Sequence, residues 1–163
     1  MTVMRRIVAS PLGDLLVEGT ADAVTAIRFP EEHPHEPDTG DRSDALEEAH
    51  RQLGAYFAGT LRAFDLPLEP ERGGTFDRLV WAELAQIPYG ETCTYGDVAR
   101  AIGRPTAVRA VGAANGRNPI PIVVPCHRVI GANGTLTGFG GGLPAKRLLL
   151  GLEQQGAWQP ALL

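Results

Sequence analysis

The sequence is poor in cysteine and aromatic residues and has no long apolar run. Its 163 residues include 2 cysteines, and 6% of them are aromatic. Two cysteines separated by predicted helices make a poor disulfide framework and favour a reducing compartment. No stretch approaches the roughly 20 apolar residues of a membrane-spanning helix, and residues 1–10 lack the apolar core of a signal peptide. We therefore expect a cytoplasmic globular protein that does not contact a membrane.

The net charge of −4 conceals two halves of opposite sign. Residues 1–75 hold 14 acidic and 7 basic side chains, whereas residues 76–163 hold 5 acidic and 8 basic ones. The C-terminal half is therefore the one suited to a phosphate-bearing partner. A modest excess of arginine is also common on soluble domains, so charge alone does not assign nucleic-acid binding.

The N-terminal half is predicted to form a small α/β domain. Apolar residues at helical spacing predict a helix at 44–58, with Ser43 as its N-cap, that covers a sheet. Turn-forming sequences separate three short apolar stretches, which predict an antiparallel meander. The predicted strands are 6–10, 15–18 and 24–29.

Two further features of this half concern its loops. His33 and His35 lie in a Pro-rich acidic stretch without periodicity, so we expect solvated loop residues. One more strand is expected at 62–68, followed by a linker at 70–74 that is rich in Pro and Gly. The domain boundary is predicted between residues 73 and 74.

The C-terminal half contains a predicted helix-turn-helix. A first helix is expected at 76–87, capped by Thr75, with apolar residues at helical spacing. A short helix from Tyr95 or Gly96 to Ile102 and a second one at 105–115 are separated by a Gly-containing turn.

The second of these short helices has a nearly bare face. Arg109, Gly112, Ala113 and Gly116 recur on one side, which offers little for reading bases in a major groove. Such a face suits close approach to a minor groove, with Arg109 entering the base stack. It equally suits packing against another helix, and the helix alone leaves both interpretations open.

The stretch 120–130 carries the reactive groups. Residues 122–124 have the pattern of a buried strand, and Pro125 ends the ladder just before Cys126. A thiol becomes a nucleophile as thiolate, which neighbouring cations or a base promote, and His127 and Arg128 are of those two types. Adjacent residues of an extended chain point apart, so we expect a water between Cys126 and His127.

The chain resembles the O6-alkylguanine-DNA alkyltransferases, also called methylated-DNA–protein-cysteine methyltransferases. The resemblance is strong over about residues 75–155 and weak before them, and its motifs occur in the family's order and spacing. They are IPYGET at 87–92, TYG at 94–96, VRAVG at 108–112, ANG at 114–116, NP at 118–119, PCHRVI at 125–130 and LTGF at 136–139.

The resemblance implies an α+β fold with two domains. Residues 1–73 would form the antiparallel meander plus helix, similar to ribonuclease H. Residues 74–163 would form a winged helix-turn-helix domain that carries the active site. Its implied partner is double-stranded DNA containing O6-alkylguanine, bound by a monomer, with cooperative binding and activity on O4-alkylthymine left open. The resemblance implies no cofactor, and no metal is expected.

The implied reaction is direct reversal of DNA damage. The alkyl group would pass irreversibly from the flipped guanine to Cys126, so that each protein molecule acts once. By resemblance, Glu153 orients His127, His127 deprotonates Cys126 through a water, and Tyr95 assists the leaving guanine.

The resemblance also implies residues that bind DNA or the base. Asn118 would brace the site, and Phe139 would wall the base pocket where the family usually has Tyr, so we expect slower repair from the lost hydroxyl. The remaining residues implied in binding are Arg109, Ala110, Gly112, Ala113, Arg128 and Val129.

Three other interpretations stay open. A Cys–His hydrolase would need a direct thiol–imidazole pair and an oxyanion hole. A winged-helix DNA-binding protein would use Cys126 only structurally, like family members that bind alkylguanine without repairing it, which lack this cysteine. A zinc site formed by Cys93, Cys126 and His127 is the weakest, because the spacing fits no common ligand pattern.

Overall fold

The computed structural model describes residues 3–33, 37–136 and 139–155. The chain begins with an antiparallel three-stranded meander, which confirms the predicted sheet. Its first strand ends before Ser10 because a turn closes there, with Gly13 N donating to Ser10 O at 3.0 Å. The strands are β1 (Met4–Val8), β2 (Leu15–Gly19) and β3 (Val24–Arg28).

Helix α1 (Asp44–Phe57) covers this sheet. The Ser43 side chain accepts a hydrogen bond from Leu46 N at 3.2 Å, as expected of an N-cap. The buried face of α1 is wider than its apolar stripe, because Gln52 and Tyr56 are buried on it as well. Two polar side chains of α1 therefore need partners inside the protein.

His33 is not a solvated loop residue, which corrects that prediction. It is 7% exposed, and its Nε2 lies 2.8 Å from the carbonyl oxygen of Asp14. A buried imidazole needs such a partner. His35 lies outside the described residues.

No strand forms at 62–68, where one was predicted. The segment touches β3 through a single bridge between Leu68 and Val24. Val24 N donates to Pro67 O at 2.8 Å, and Glu69 N donates to Val24 O at 2.9 Å. Pro67 has no N–H, so a regular ladder cannot continue through it.

Three helices follow, and the last two form the predicted helix-turn-helix. They differ from expectation at their starts. The first has Gly74 rather than Thr75 as its N-cap, and the third begins later because Ala107 N donates to Arg104 O and closes a turn at 104–107. The helices are α2 (Thr75–Leu84), α3 (Tyr95–Ala101) and α4 (Val108–Gly116).

The segment 117–125 is a compact turn and not the predicted buried strand. Pro119, Pro121 and Pro125 supply no N–H groups. Instead, Val124 N donates to Ile120 O at 3.0 Å, and buried Ile122 adopts a φ of 74°. Such a conformation is costly for a β-branched residue and persists only where packing imposes it.

The chain then forms a short 3-10 turn (Cys126–Arg128), strand β5 (Val129–Ile130) and helix α5 (Leu143–Gln155). Strand β5 pairs in parallel with β4 (Cys93–Thr94), which immediately precedes α3. Helix α5 packs on the 3-10 turn. This packing brings the end of the chain's last described helix to the reactive stretch.

Both halves share one buried core, which runs from the sheet and α1 to α2, α4 and α5. A backbone hydrogen bond of 2.9 Å from Ile27 N to Pro119 O ties β3 to the turn that precedes Cys126. Among the described residues, no helix combines the length and apolar character needed to cross a membrane.

Candidate active site

Cys126 lies at a small cavity between the two halves of the chain. It follows Pro125, begins the 3-10 turn and is 5% exposed. The cavity has a volume of about 60 Å³ and is lined by residues of both halves. Besides Cys126, its lining includes Phe29, Arg72, Asn115, Asn118 and Phe139. The thiol is therefore buried but reachable from one side.

The Cys126 thiol is protonated at neutral pH. Burial raises its pKa to about 11, although the Asn118 side chain, the charge of Lys146 and the backbone N–H of His127 act in the opposite direction. Arg128, which the sequence offers as a cationic neighbour of the thiol, directs its guanidinium to Glu153. A base must therefore take the proton before the sulfur can attack.

His127 and Glu153 form a buried pair. His127 Nε2 lies 2.7 Å from Glu153 Oε2. Burial alone would raise the pKa of Glu153, but hydrogen bonds from His127 and Arg128 hold that pKa at about 2. The carboxylate can only accept, so Nε2 carries a proton.

The other ring nitrogen of His127 is thereby an acceptor. Burial lowers the pKa of His127, so the imidazole is neutral at pH 7 with its lone pair on Nδ1. Nδ1 is buried and makes no hydrogen bond to the described residues. It provides the basic nitrogen that the adjacent thiol requires, although the two groups form no direct pair of the kind a Cys–His hydrolase uses.

Arg128 lies inside the protein, where it holds Glu153. It is 6% exposed, and its Nε and one terminal nitrogen donate to the two Glu153 oxygens at 2.8 and 3.0 Å. The other terminal nitrogen donates to Ile87 O at 2.7 Å. This geometry corrects the expectation that Arg128 contacts DNA, since its guanidinium is occupied within the fold.

Tyr56 is a fourth member of this cluster and was missed from the sequence. Its hydroxyl donates to Glu153 Oε2 at 2.6 Å across 97 residues of chain. In the sequence it lies beside the apolar stripe of α1, and nothing in the pattern indicates a polar partner so far away.

Val129 is also buried, at 0% exposure within β5, and does not line the cavity. Its carbonyl oxygen accepts a 2.7 Å hydrogen bond from Lys146 Nζ.

Lys146 was missed from the sequence. It is 0% exposed, and burial lowers its pKa while the nearby Cys126 opposes that shift. A buried ammonium group therefore lies close enough to the thiol to interact with it electrostatically.

Asn118 braces the turn from within. Its amide nitrogen donates to Val124 O at 2.9 Å, and its oxygen accepts from Ile120 N at 3.0 Å. The same side chain forms a hydrogen bond that lowers the pKa of Cys126. Asn115, also missed, lines the cavity and donates to Cys126 O at 3.4 Å.

The small-residue face of α4 lies on the surface. Arg109, Ala110 and Ala113 are exposed and Gly112 is partly exposed. Val108 is 40% exposed and belongs to the same surface. The buried side of α4 carries Val111 and Ala114, which are fully buried.

Tyr95 begins α3 and is partly buried against α4. A Cβ at position 112 would lie 3.9 Å from its ring, which is an ordinary van der Waals distance, so the ring of Tyr95 lies against the small-residue face of α4. Tyr95 does not line the cavity that contains Cys126.

Phe139 closes the cavity together with Phe29 from the N-terminal half. Their ring centroids lie 5.4 Å apart in an edge-to-face arrangement. A Cβ at Gly141 would come within 2.9 Å of the Phe29 ring, so this loop packs closely on Phe29. Thr137 and Gly138 of the predicted glycine-rich loop lie outside the described residues.

No metal site accompanies this cluster within the described ranges. Groups of three or more potential metal ligands do not occur there, and Cys93 and Cys126 are both free. The zinc interpretation therefore has no geometric support.

Two family models match nearly the whole chain. Residues 75–155 match "6-O-methylguanine DNA methyltransferase, DNA binding domain", and residues 3–70 match "6-O-methylguanine DNA methyltransferase, ribonuclease-like domain".

Individual relatives agree with these matches. A methylated-DNA–protein-cysteine methyltransferase of Mycolicibacterium paratuberculosis is 52% identical over 152 residues, which cover 92% of each chain. One of Methanosarcina acetivorans is 51% identical over 147 residues, or 88% of this chain and 94% of the relative. The crystal structure of Mycobacterium tuberculosis OGT in complex with DNA superimposes with a TM-score of 0.85 at 46% identity, covering 97% of both chains.

Proposed function

This chain belongs to the 6-O-methylguanine DNA methyltransferase family, and we propose that it repairs DNA by moving the alkyl group of O6-alkylguanine onto Cys126. The observation that carries the proposal is the arrangement at the cavity. A cysteine lines it, and the next residue is a neutral imidazole held by a buried carboxylate at 2.7 Å.

The first chemical step is removal of the thiol proton. His127 accepts it on Nδ1, through one water molecule, and the resulting imidazolium is stabilised by Glu153. Asn118 and the positive charge of Lys146 stabilise the developing thiolate, because both lower the pKa of Cys126.

The second step is in-line attack of the sulfur on the alkyl carbon. A carbon–sulfur bond forms, the carbon–oxygen bond breaks, and its electron pair remains on the guanine. A proton returns to the guanine, assisted by Tyr95, so the products are normal guanine and a thioether. A thioether has no good leaving group, and each protein molecule therefore acts once.

The exposed face of α4 is the proposed contact with double-stranded DNA. Ala110, Gly112 and Ala113 allow close approach to the minor groove, and Arg109 fills the space that the extruded base leaves. The C-terminal half, with its excess of basic residues, faces the phosphates. We further propose that one protein molecule recognises one lesion.

Base entry requires the cavity to widen. A volume of about 60 Å³ corresponds to about two water molecules, which is too little for a purine. The segment that carries Phe139 is the proposed moving part, because Phe139 lines the cavity and its ring packs on Phe29 from the other half of the chain.

We also propose a division into two domains and a cellular location. The division into domains 1–73 and 74–163 is supported by the separate family matches at 3–70 and 75–155. A cytoplasmic location is supported by two free thiols, which suit a reducing compartment.

The decisive experiment mixes the protein with a duplex oligonucleotide that carries one O6-methylguanine. We expect mass spectrometry to find one added methyl group on the peptide containing Cys126, at a stoichiometry of one per protein. Replacement of Cys126 by Ser abolishes the transfer, whereas Cys93→Ser is the matched control and retains it. Methylation of another residue, or turnover beyond one equivalent, would contradict the proposal.

A further inference from the structure

Tyr56 connects the N-terminal half to the catalytic pair. It lies on α1, is 0% exposed, and its hydroxyl donates to Glu153 Oε2 at 2.6 Å. The same oxygen accepts from His127 Nε2 at 2.7 Å. One carboxylate oxygen therefore joins a phenol of the N-terminal half to the imidazole beside Cys126.

The direction of this hydrogen bond is fixed. Burial and the charge of Glu153 raise the pKa of Tyr56 well above its usual value, so the hydroxyl keeps its proton at every pH at which the protein functions. Glu153 is a carboxylate in the same range, with a pKa of about 2. The phenol can only donate and the carboxylate can only accept.

The ring of Tyr56 is held firmly. It packs edge-to-face on Phe57 and Tyr89 at centroid distances of 5.1 and 6.2 Å, and against Phe64 at 5.3 Å. An aromatic ring with three such neighbours has little freedom to follow a moving partner. It is a rigid anchor for the carboxylate at the end of α5.

We propose that Tyr56 is a positioning residue for alkyl transfer, because its hydroxyl fixes the Glu153 oxygen that holds the Nε2–H of His127 and so leaves Nδ1 available to the thiol. This inference rests on the proposed function. Arg128 binds both oxygens of Glu153, but Tyr56 is the donor that comes from the N-terminal half.

The hydroxyl also moderates the basicity of His127. Each hydrogen bond that Glu153 accepts elsewhere reduces its attraction for an imidazolium, so loss of the Tyr56 donor should raise the pKa of His127. Arg128 and Lys146 lower the pKa of His127, and Lys146 also lowers that of Cys126. Tyr89 affects the pKa of Tyr56, whose hydroxyl stays protonated.

The test compares Tyr56→Phe with Tyr89→Phe in the full chain. The two rings are neighbours, but the Tyr89 hydroxyl makes no hydrogen bond to the described residues, so its removal is the matched control. Single-turnover methyl transfer from an O6-methylguanine duplex is measured across pH, together with DNA affinity. Carbamidomethylation of Cys126 by iodoacetamide is followed by peptide mass spectrometry as a DNA-independent readout.

We expect Tyr56→Phe to slow methyl transfer about tenfold, the size of one hydrogen bond to a charged group. The acid limb of the methyl-transfer and iodoacetamide profiles is the pH range in which protonation of His127 lowers the rate. This limb should move to higher pH, while DNA affinity stays unchanged. Tyr89→Phe should behave like the wild type. Equal rates and profiles in the two variants would overturn the role of Tyr56.

A second substitution distinguishes loss of the hydrogen bond from a folding defect. Site-specific 3-fluorotyrosine at position 56 keeps the ring and its hydroxyl but donates a stronger hydrogen bond, so the acid limb should move to lower pH. An unchanged limb overturns the inference. Failure of the wild type to methylate Cys126 would instead overturn the proposed function, and the iodoacetamide profiles would still test Tyr56.

Discussion

His127 and Glu153 are 26 residues apart in the chain, and a 2.7 Å hydrogen bond joins their side chains. The two side chains are 0% and 1% exposed. Because α5 packs on the 3-10 turn, its last turn delivers the carboxylate to the imidazole. The tautomer of His127, and with it the base that serves Cys126, therefore depends on a contact made by the last turn of α5.

Glu153→Gln tests this contact. Glutamine preserves the shape but removes the charge, so it no longer fixes the tautomer of His127 and leaves Arg128 without its ion partner. We expect single-turnover methyl transfer to fall about 100-fold or more, the usual contribution of a general base. The free energy of unfolding should fall by about 3–5 kcal/mol, as when one partner of a buried ion pair is removed. Glu91→Gln removes the same charge from an exposed position and should change neither quantity; a wild-type rate in Glu153→Gln would rule out the base assignment.

The pKa shifts of Glu153 and His127 predict how the free energy of unfolding depends on pH. Glu153 has a depressed pKa of about 2 in the folded protein against 4.5 as its ordinary value. Its contribution is complete above pH 4.5 and is lost as pH falls toward 2, amounting to about 3 kcal/mol. His127, whose pKa is also lowered, stays neutral when folded and protonates when unfolded, so it destabilises the fold as pH falls below 6.5.

Urea unfolding at pH 7, 5.5, 4 and 3 measures this dependence. The free energy of unfolding should decline in two steps, and the lower step should be smaller in Glu153→Gln. The part that remains belongs to other carboxylates whose pKa is lowered in the folded protein, such as Asp38. A profile that is flat between pH 5 and pH 3 in the wild type would contradict the assignment of an ionised Glu153.

Periodicity was sufficient to predict the meander, α1 and the order of the C-terminal helices. It failed where the supply of backbone hydrogen-bond donors decides the structure. Residues 122–124 are β-branched and apolar, yet the prolines around them remove the donors that a strand needs, and Asn118 supplies side-chain hydrogen bonds in their place. The strand predicted at 62–68 failed for a related reason at Pro67.

The residues of the site were also only partly predictable from the sequence. Cys126 and His127 are adjacent in a motif, and the resemblance led to Glu153. Tyr56, Lys146 and Phe29 have no local signal, because each acquires its role through a contact with a distant part of the chain. Arg128 was assigned to binding because it lies in the motif that carries the resemblance, and only its burial and its hydrogen bonds show that it serves Glu153.

Arg109→Ala separates DNA engagement from thiol chemistry. Arg109 is exposed on α4, so its loss should not affect folding or the reaction of Cys126 with iodoacetamide. Methyl transfer from duplex DNA should fall at least tenfold, because an alanine is too short to fill the space that the extruded base leaves in the stack. Arg51→Ala, which removes an exposed arginine from α1, is the control for charge, and an equal loss in both variants would refute a specific role.

Lys146→Met tests the buried ammonium group beside the thiol. Its charge lowers the pKa of Cys126, which burial raises to about 11, so its removal should raise that pKa further and slow thiolate formation. The pH dependence of iodoacetamide labelling at Cys126 should shift to higher pH. Arg147→Met changes the charge of the neighbouring, exposed residue and should leave the labelling unchanged. A profile for Lys146→Met that coincides with the wild type would mean that the ammonium group does not promote formation of the thiolate.

Phe139→Tyr tests the departure from the tyrosine that is usual in the family. Phe139 lines the cavity and leans on Phe29, so a tyrosine can keep the ring in place and add a hydroxyl at the cavity wall. One net hydrogen bond to the base or the departing oxygen is worth about 0.5–1.5 kcal/mol, which corresponds to a roughly twofold to tenfold faster single turnover. Phe139→Leu removes the ring and should slow the transfer, which distinguishes the hydroxyl from the wall itself. If tyrosine gave no acceleration while leucine slowed the reaction, the ring alone would account for the function of this position, and the phenylalanine would carry no catalytic cost.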